Sequence, residues 1–338
     1  METIFTERHR LRNSKTELHG GEFVEPFERP SRAEYIIGRV RDVGLGSISE
    51  PDDFGLDPIR AIHDKGFIDF LQVAWDEWQS EGFKGEALPT VWPARRMTQR
   101  IPTHIEGRLG YYALACETTI SDGTWEASFA SAQVDLTGAQ RLNDGAKAVF
   151  SLCRPPGHHA GPEVAGGFCY LNNTAIAAEH LRTKFARVAV LDVDLHHGNG
   201  TQMCFYDRAD VLTVSLHAHP ERFYPFFWGY ADEDGEGDGV GFNKNFPLPR
   251  GTGDEVYLES LDKAITEVEA FAPDALVIAL GLDGFEGDPI AGLSITTKGF
   301  YEIGNMIAKR LVMPTVIIQE GGYPCEELGQ NLASFVKG

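Results

Sequence analysis

The stretch that decides the fold is VAVLDVDLHHGNG, residues 188–200. It opens as an unbroken apolar run with β-branched residues, a pattern typical of a strand that is buried on both faces of a parallel sheet. Four polar side chains follow within six residues: Asp192, Asp194, His196 and His197. Because side chains alternate along an extended chain, we expect Asp192, Asp194 and His196 to share one face. Carboxylate and imidazole groups are ligands of Zn²⁺, so Asp194 and His196 are candidates to hold one metal ion at a strand end.

Strand and helix patterns alternate on both sides of this stretch from residue 147 to residue 319. We expect further strands at 147–153, 211–216, 274–282 and 315–319, and helices at 173–185, 254–271 and 297–310. Earlier residues predict a short strand at 3–5 and helices at 31–43, 64–79 and 125–142, and 224–249 is expected to be a loop. This alternation is typical of an α/β protein whose parallel sheet is covered by helices on both faces. No repeat or linker interrupts it, so we expect a single domain over 1–338.

The composition restricts the partners and the compartment. The 338 residues include 30 Lys and Arg against 50 Asp and Glu, for a formal net charge of −20. This excess of acid argues against nucleic acid as a partner and suits a cationic substrate, although acidity alone often serves only solubility. The five cysteines are scattered and contain no C-x-x-C pair, which favours a reducing, cytoplasmic location. No apolar run is long enough to span a membrane.

Unusual side chains follow four of the predicted strands. They are His158 and His159, the group 192–197, Asp283, and Tyr323. Taken singly, an aspartate at a strand end is more often a cap, and a tyrosine after Gly-Gly is usually an ordinary loop residue. The carboxyl ends of parallel strands meet at one edge, however, so these side chains together predict a reaction centre. In that centre the metal ligands would be Asp194, His196 and Asp283, the proton carriers His158 and His159, and the donor to a developing oxyanion Tyr323.

The sequence resembles the zinc-dependent histone deacetylase superfamily, including its acetylpolyamine amidohydrolases. The motifs that carry the resemblance are RPPGHHA (154–160), GGFCYLNN (166–173), DVDLHHGNG (192–200), VSLH (214–217), GLDGFEGDP (281–289) and EGGY (320–323). The resemblance implies a three-layer arginase–deacetylase fold with an eight-stranded, mostly parallel sheet flanked by helices. It also implies an enzyme that hydrolyses an acetylated linear amide to acetate and a free amine, with one catalytic Zn²⁺ and one structural K⁺ per chain.

The resemblance further implies roles for individual residues. The zinc ligands would be Asp194, His196 and Asp283. The potassium ligands, mostly through backbone oxygens, would be Asp192, Asp194, His196, Ser215 and Leu216. His159 would be the general base and acid, supported by Asn199, and His158 would be its tuned neighbour, supported by Asp192. An Asn at position 199 is similar to the branch that contains class II and polyamine deacetylases, whereas many nuclear deacetylases have Asp there.

The resemblance also implies the shape of the substrate channel. Phe168 and Tyr224 would form its walls, and Gly167 would leave room for a slender substrate. Within the superfamily, KTELHGG (15–21) and RIPTHIEGRLGYY (100–112) resemble acetylpolyamine amidohydrolases. In those relatives a loop matching about 82–119 is inserted, builds a homodimer and narrows the channel. The acids that would meet the ammonium groups of a polyamine are Glu17, Glu106 and Glu117.

Several positions depart from the acetylpolyamine amidohydrolase pattern. Phe168-Cys-Tyr170 stands in place of Tyr-Cys-Phe, Asp283-Gly-Phe285 in place of Asp-Thr-Phe, and HAHP (217–220) in place of His-Gly-Asp-Pro. Because these positions border the channel, a protein acetyl-lysine deacetylase with an open rim is an alternative. A binding module without turnover is disfavoured, since every metal and proton-transfer position holds a competent residue. Arginase-type chemistry is disfavoured because it uses two Mn²⁺ ions and because Tyr323 argues for deacetylation.

Overall fold

The computed structural model describes all residues, Met1–Gly338. In chain order its strands are β1 (Glu2–Ile4), β2 (Glu17–His19), β3 (Glu22–Val24), β4 (Ile48–Ser49), β5 (Ala148–Ser151), β6 (Val188–Asp192), β7 (Val211–Ala218), β8 (Asn243–Leu248), β9 (Ala275–Leu280) and β10 (Thr315–Gln319). Its α-helices are α1 (Ser31–Val43), α2 (Asp57–Arg60), α3 (Lys65–Ser80), α4 (Ile105–Tyr111), α5 (Thr124–Asn143), α6 (Asn173–Arg182), α7 (Asn199–Phe205), α8 (Asp254–Phe271), α9 (Thr297–Arg310) and α10 (Leu328–Lys337). None of these helices combines the length and apolar character that crossing a membrane requires.

Eight strands form one sheet in the order β4-β1-β5-β10-β9-β6-β7-β8. Every neighbouring pair in it is parallel, and the separate hairpin β2–β3 is antiparallel. The predicted eight-stranded parallel sheet flanked by helices is therefore confirmed. Because all eight strands run in one direction, the segments that follow β5, β6, β9 and β10 leave the sheet at one edge.

The sheet separates two hydrophobic cores of 38 and 36 buried residues. Successive residues of one strand enter opposite cores, as Leu276 and Ile278 pack on one side and Ala275 and Val277 on the other. Burying one large aliphatic side chain contributes about 1.5–3 kcal/mol, so a strand filled on both faces is a rigid support. The polar residues that follow such strands are consequently held on a well-packed frame.

The predicted helices at 31–43, 254–271 and 297–310 have the same bounds in the structure. Local signals fix these ends. Gly44 adopts a left-handed conformation (φ 63°) that stops α1, and the Thr296 hydroxyl accepts a hydrogen bond of 3.0 Å from the Gly299 N–H at the start of α9.

The expectation that 224–249 is a loop throughout was wrong, because its end forms strand β8. This strand pairs only with β7, so it lies at an edge of the sheet. Edge strands tolerate polar residues and proline, which is why Asn243, Asn245 and Pro247 conceal a strand pattern. The irregular segment 82–119 likewise contains helix α4, which His104 caps by accepting the Glu106 N–H at 3.3 Å.

Candidate metal centre and pocket

Strand β6 ends at Asp192, so the pleat does not orient Asp194 and His196. Instead, the backbone N–H of Asp194 donates to Asp192 Oδ1 at 3.0 Å, and that of His196 donates to Asp194 Oδ1 at 2.8 Å. Side-chain acceptors two residues back are typical of Asx turns. The alternation expected from an extended chain therefore stops at Asp192, and successive Asx turns bring these side chains together.

One imidazole and two carboxylates meet at the carboxyl ends of β6 and β9. Candidate ligand atoms of Asp194, His196 and Asp283 all lie within 4.8 Å of one another, and all three residues are buried. His196 Nδ1 is 3.3 Å from Asp194 Oδ1 and 3.1 Å from Asp283 Oδ2. Burial alone would lower the pKa of His196, but these two carboxylates raise it to about 9.

The donor set of this cluster fits a divalent cation. Neither carboxylate forms an ion pair with a lysine or arginine. Asp194 also accepts the backbone N–H of Gly321 at 2.7 Å and lies 3.8 Å from His158 Nε2, and Asp283 accepts the backbone N–H of Leu195 at 3.0 Å. Two buried carboxylates this close together require a positive charge between them. Two oxygen donors and one imidazole are a ligand set that catalytic zinc sites use, with further positions left for water or substrate.

Glycine is required beside these ligands. A β-carbon at Gly321 would overlap the carboxylates of Asp283 and Asp194, and one at Gly281 would overlap Asp194. The glycines of the EGGY and GLDG motifs thus allow the backbone to approach the candidate metal site closely.

Two adjacent histidines have opposite electrostatic environments. The rings of His158 and His159 lie 4.0 Å apart between centroids, and both residues are buried. Burial alone would lower the pKa of His158, but Asp192, whose Oδ2 is 2.9 Å from Nδ1, and Asp194 raise it to about 10. Burial lowers the pKa of His159 well below its usual value, and the neighbouring His158 and His196 lower it further. At neutral pH the pair therefore consists of a charged His158 and a neutral His159.

The hydrogen bond to Asn199 indicates which nitrogen of His159 carries its proton. Asn199 Oδ1 lies 2.7 Å from His159 Nδ1, while the Asn199 amide nitrogen donates to the His159 carbonyl at 3.5 Å. An amide oxygen only accepts hydrogen bonds, so Nδ1 of His159 is the donor. Nε2 then keeps its lone pair and is the proton acceptor.

Tyr323 is buried and held in place from two sides. Its backbone N–H donates to Asp288 Oδ2 at 2.9 Å, and the guanidinium of Arg32 lies 4.8 Å from the centre of its ring. Arg32 also donates to the carbonyls of Gly322 and Glu320 on the same loop. Burial raises the pKa of Tyr323 well above its usual value, so the phenol keeps its proton and can donate a hydrogen bond.

A cavity of about 460 Å³ opens over this cluster. We call its buried end, together with the side chains directly behind it, the floor: His159, His196 and Tyr323 line the cavity, and Asp194, Asp283 and His158 adjoin them. The charged residues that line the rest of the cavity are called the rim, which consists of Glu17, Glu117, Arg222 and Arg250. A larger cavity of about 620 Å³ lies at the opposite edge of the sheet, but it is lined mostly by apolar residues and contains no acid or histidine. The smaller cavity is therefore the candidate site.

Two aromatic rings lie beside residues of the floor. The ring of Tyr224 is 4.9 Å from that of His159, and the ring of Phe168 is 5.8 Å from that of Tyr323. Gly167, at φ 53°, packs against His159 so closely that a β-carbon would overlap the imidazole. Gly167, Phe168 and Tyr224 all line the cavity.

Two of the three predicted substrate-binding acids reach the cavity. Glu17 is buried and accepts the Phe27 N–H at 3.0 Å, while Glu117 is half-buried with Oε1 lacking any hydrogen-bond partner. Burial raises the pKa of Glu17 to about 7, and burial also raises that of Glu117. Glu106 does not line the cavity, since α4 buries Ile105 and Leu109 and leaves the Glu106 carboxylate exposed beside His104.

The residues predicted to hold potassium adjoin the metal centre. Ser215 lies on β7 directly opposite Asp192 of β6, with its hydroxyl 2.8 Å from His217 Nδ1. Leu216 is the next residue of β7 and is fully buried. The carbonyls of Asp194 and His196 accept no hydrogen bond from the protein, so these oxygens are available to a cation.

Sequence reasoning missed two groups that support the floor. Glu320 is fully buried and accepts the backbone N–H groups of Gly157 (2.6 Å) and His158 (3.1 Å), which fixes the loop that carries the histidine pair. Glu28 is buried among three guanidinium groups, those of Arg12, Arg32 and Arg154. A glutamate at the end of a strand was a usable signal for Glu320. Glu28 has one near partner, Arg32, but the other two, Arg12 and Arg154, are not in its local sequence.

A parallel sheet with helices on both faces and a carboxylate–imidazole cluster at its carboxyl edge define the arginase–deacetylase class of α/β proteins. The histone deacetylase domain family matches residues 26–338, and the chain belongs to this family.

Full-length relatives support this assignment. The acetylpolyamine amidohydrolase of Mycoplana ramosa is 48% identical over all of this chain and 99% of its own length, and acetylpolyamine amidohydrolase 2 of Pseudomonas aeruginosa is 48% identical over all of this chain and 98% of its own. The crystal structure of the acetylpolyamine aminohydrolase from Burkholderia pseudomallei superposes with a TM-score of 0.94 and 42% identity, covering 99% of this chain and 97% of that one. The resemblance inferred from the motifs is confirmed.

Proposed function

We propose that the protein is a zinc-dependent amidohydrolase that removes acetyl groups from acetylated polyamines or similar small cationic amides. The buried cluster of Asp194, His196 and Asp283, at the floor of a cavity that also presents His159 and Tyr323, is the observation that carries the proposal. The names of the full-length relatives support the substrate class.

The residues of the floor divide the chemistry between them. Asp194, His196 and Asp283 would hold Zn²⁺, which when bound polarises a carbonyl and lowers the pKa of water. His159, neutral and with Nε2 unprotonated, takes a proton from the attacking water and then delivers it to the leaving amine. Tyr323 donates its phenolic hydrogen to the oxygen that becomes negative in the transition state. Water is thereby added across the amide C–N bond to give acetate and a free amine.

Two buried side chains set the state of His159. Asn199 keeps the proton on Nδ1 without adding a negative charge behind the ring. The charged His158, itself supported by Asp192, disfavours a second positive charge nearby. Together they keep His159 a neutral base before the reaction and a strong acid after it has accepted a proton.

The two acids of the rim and the segment 82–119 bear on the substrate and the oligomer. Glu17 and Glu117 place two carboxyl groups where an ammonium would pass. The segment exposes apolar side chains, namely Val91, Trp92, Met97 and Ile101. Exposed apolar clusters are typical of interaction surfaces, so we propose that this segment forms a homodimer and narrows the channel. Sedimentation at micromolar concentration tests the dimer, and a purely monomeric protein would contradict it.

Two further assignments belong to this proposal. A structural K⁺ ion would be held beside the metal centre by Asp192, Asp194, His196, Ser215 and Leu216. A cytoplasmic location is supported by the cysteines, all five of which are free.

Acetate release by the zinc-loaded protein tests the proposal. N-acetylputrescine, N-acetylcadaverine, N8-acetylspermidine and an acetyl-lysine peptide are offered in parallel, each with and without a chelator. We expect chelator-sensitive turnover of the small amines and little turnover of the peptide. A preference for the peptide would instead favour the protein acetyl-lysine deacetylase, and absence of acetate from every substrate would reject the proposed function.

A further inference from the structure

The rim carries positive as well as negative charge. Its carboxyl groups, Glu17 and Glu117, are matched by two guanidinium groups, Arg222 and Arg250, so the formal charge of the rim is zero. Because burial raises the pKa of Glu17 to about 7, that carboxyl is only partly ionised at neutral pH, and the rim carries less negative charge than this count. A rim that contains guanidinium groups is poorly suited to bind a polycation alone, since guanidinium groups repel ammonium groups.

The two arginines are available to a ligand. Neither forms an ion pair within the chain, and the Arg222 side chain makes no hydrogen bond at all. Arg250 is oriented by two contacts: its Nη2 donates to the Ala291 carbonyl at 3.1 Å, and its guanidinium lies 5.7 Å from the centre of the Phe223 ring. A guanidinium that is ordered but unpaired is well suited to bind a carboxylate.

The opposite charges of the rim connect to different parts of the floor. Glu17 accepts the N–H of Phe27, whose ring lies 6.4 Å from that of Tyr323. Arg250 stacks on Phe223, whose ring lies 6.0 Å from that of His196. Phe27 thus links Glu17 to the Tyr323 side of the floor, and Phe223 links Arg250 to the His196 side.

We propose that the pocket accepts the side-chain amide of a free N-acylated diamino acid, with its α-ammonium toward Glu17 and Glu117 and its α-carboxylate toward Arg222 and Arg250. This inference rests on the proposed amidohydrolase function and names a zwitterionic substrate class for the same site. The reaction is unchanged: water adds to the amide carbon, the C–N bond breaks, and acetate and the free diamino acid leave.

Three substrates with the same acetyl group test the proposal. Nε-acetyl-lysine carries both charges, N-acetylcadaverine is the same chain without the carboxylate, and 6-acetamidohexanoate lacks the ammonium. We expect the wild-type kcat/KM to be highest for Nε-acetyl-lysine. The double variant Arg222→Gln, Arg250→Gln should lower that value roughly fivefold or more, through KM, and leave or raise the value for N-acetylcadaverine. The double variant Arg8→Gln, Arg41→Gln, at two exposed arginines outside the cavity, controls for the same change in net charge.

Equal effects of the double variant on both substrates, or none on Nε-acetyl-lysine, would overturn the proposal. Calorimetric binding of lysine and cadaverine to the same proteins separates this failure from that of the proposed function. If no substrate releases acetate, the proposed activity is rejected. The zwitterion site would still be supported if the wild type binds lysine more tightly than cadaverine and the double variant does not. Lysine binding no tighter than cadaverine binding would reject it.

Discussion

The floor and the rim of the pocket are held in place in different ways. At the floor, His158 and His159 each have a buried side-chain partner, and Asp194 and Asp283 each accept a backbone N–H. At the rim, Glu17 has one backbone donor, whereas Arg222 has no side-chain partner. The floor comes from segments that follow packed parallel strands, and the rim comes from the β2–β3 hairpin and from loops.

This difference predicts how substitutions in the two regions behave. Groups of the floor act on the reacting atoms in a buried, low-dielectric site, where a misplaced or missing charge is costly. Groups of the rim act on the far end of the substrate. Arg222 and Arg250 are exposed, so their charge pairs contribute little and are screened by salt, and Glu17 is only partly ionised near neutral pH. Floor variants should therefore change metal binding and kcat, whereas rim variants should change KM.

The largest effect is expected for the candidate metal ligands. Asp194→Asn and Asp283→Asn each replace a carboxylate by a neutral amide of the same shape, so we expect loss of bound zinc and a fall in acetate release of about 10³-fold or more. Metal content per chain and turnover are measured on the same samples. Asp262→Asn, on the exposed face of α8, is the matched control. Full zinc content in the floor variants would remove these residues from the metal site.

Tyr323→Phe comes next in size. It removes one hydroxyl and leaves the ring packed between Arg32 and Phe168, so the fold and the metal should be retained. Loss of one oxyanion donor costs roughly 3–4 kcal/mol, or about 10²–10³ in kcat. The measurement is kcat at a determined zinc content, and near-normal turnover would exclude Tyr323 from the chemistry.

Asn199→Asp tests the state of His159 through pH dependence. A carboxylate behind His159 Nδ1 stabilises the imidazolium and so raises the pKa of the base. Since the base must be unprotonated to accept a proton from water, activity rises with pH through this pKa. The acidic limb of kcat/KM should therefore move to higher pH by about one unit or more. An unshifted limb with zinc retained would show that His159 is not the group that titrates.

The same division between floor and rim explains what the sequence could predict. Asp194, His196 and Asp283 follow buried strands directly, so their convergence depends only on the strands being parallel neighbours. Their local geometry was less predictable, because Asx turns replace the pleat after Asp192.

The rim depends on segments whose positions no periodic pattern determines. Glu17 reaches the cavity because a short hairpin packs over it, whereas Glu106 is turned away by the burial of Ile105 and Leu109 on α4. The acidic composition favoured the prediction of carboxylates at the substrate channel. The arginines of the rim were not predicted, because an isolated arginine in a loop cannot be told apart from an ordinary surface residue. The burial of Glu28 was also not predictable, since it requires Arg12 and Arg154 to meet the nearby Arg32 in the interior.

The smallest effect is expected at the rim, for Glu17→Gln. Burial raises the pKa of Glu17 to about 7, so this carboxyl is mostly neutral at pH 6 and charged at pH 8. Its attraction for the ammonium of N-acetylputrescine should therefore grow over this interval in the wild type and be absent in the variant. We expect a rise in KM of about threefold at pH 8, little change at pH 6 and an unaltered kcat. Glu22→Gln, exposed on the same hairpin, is the control. A fall in kcat comparable to that of Tyr323→Phe would mean that the rim affects the reacting atoms as strongly as the floor does. The two regions would then not differ in function.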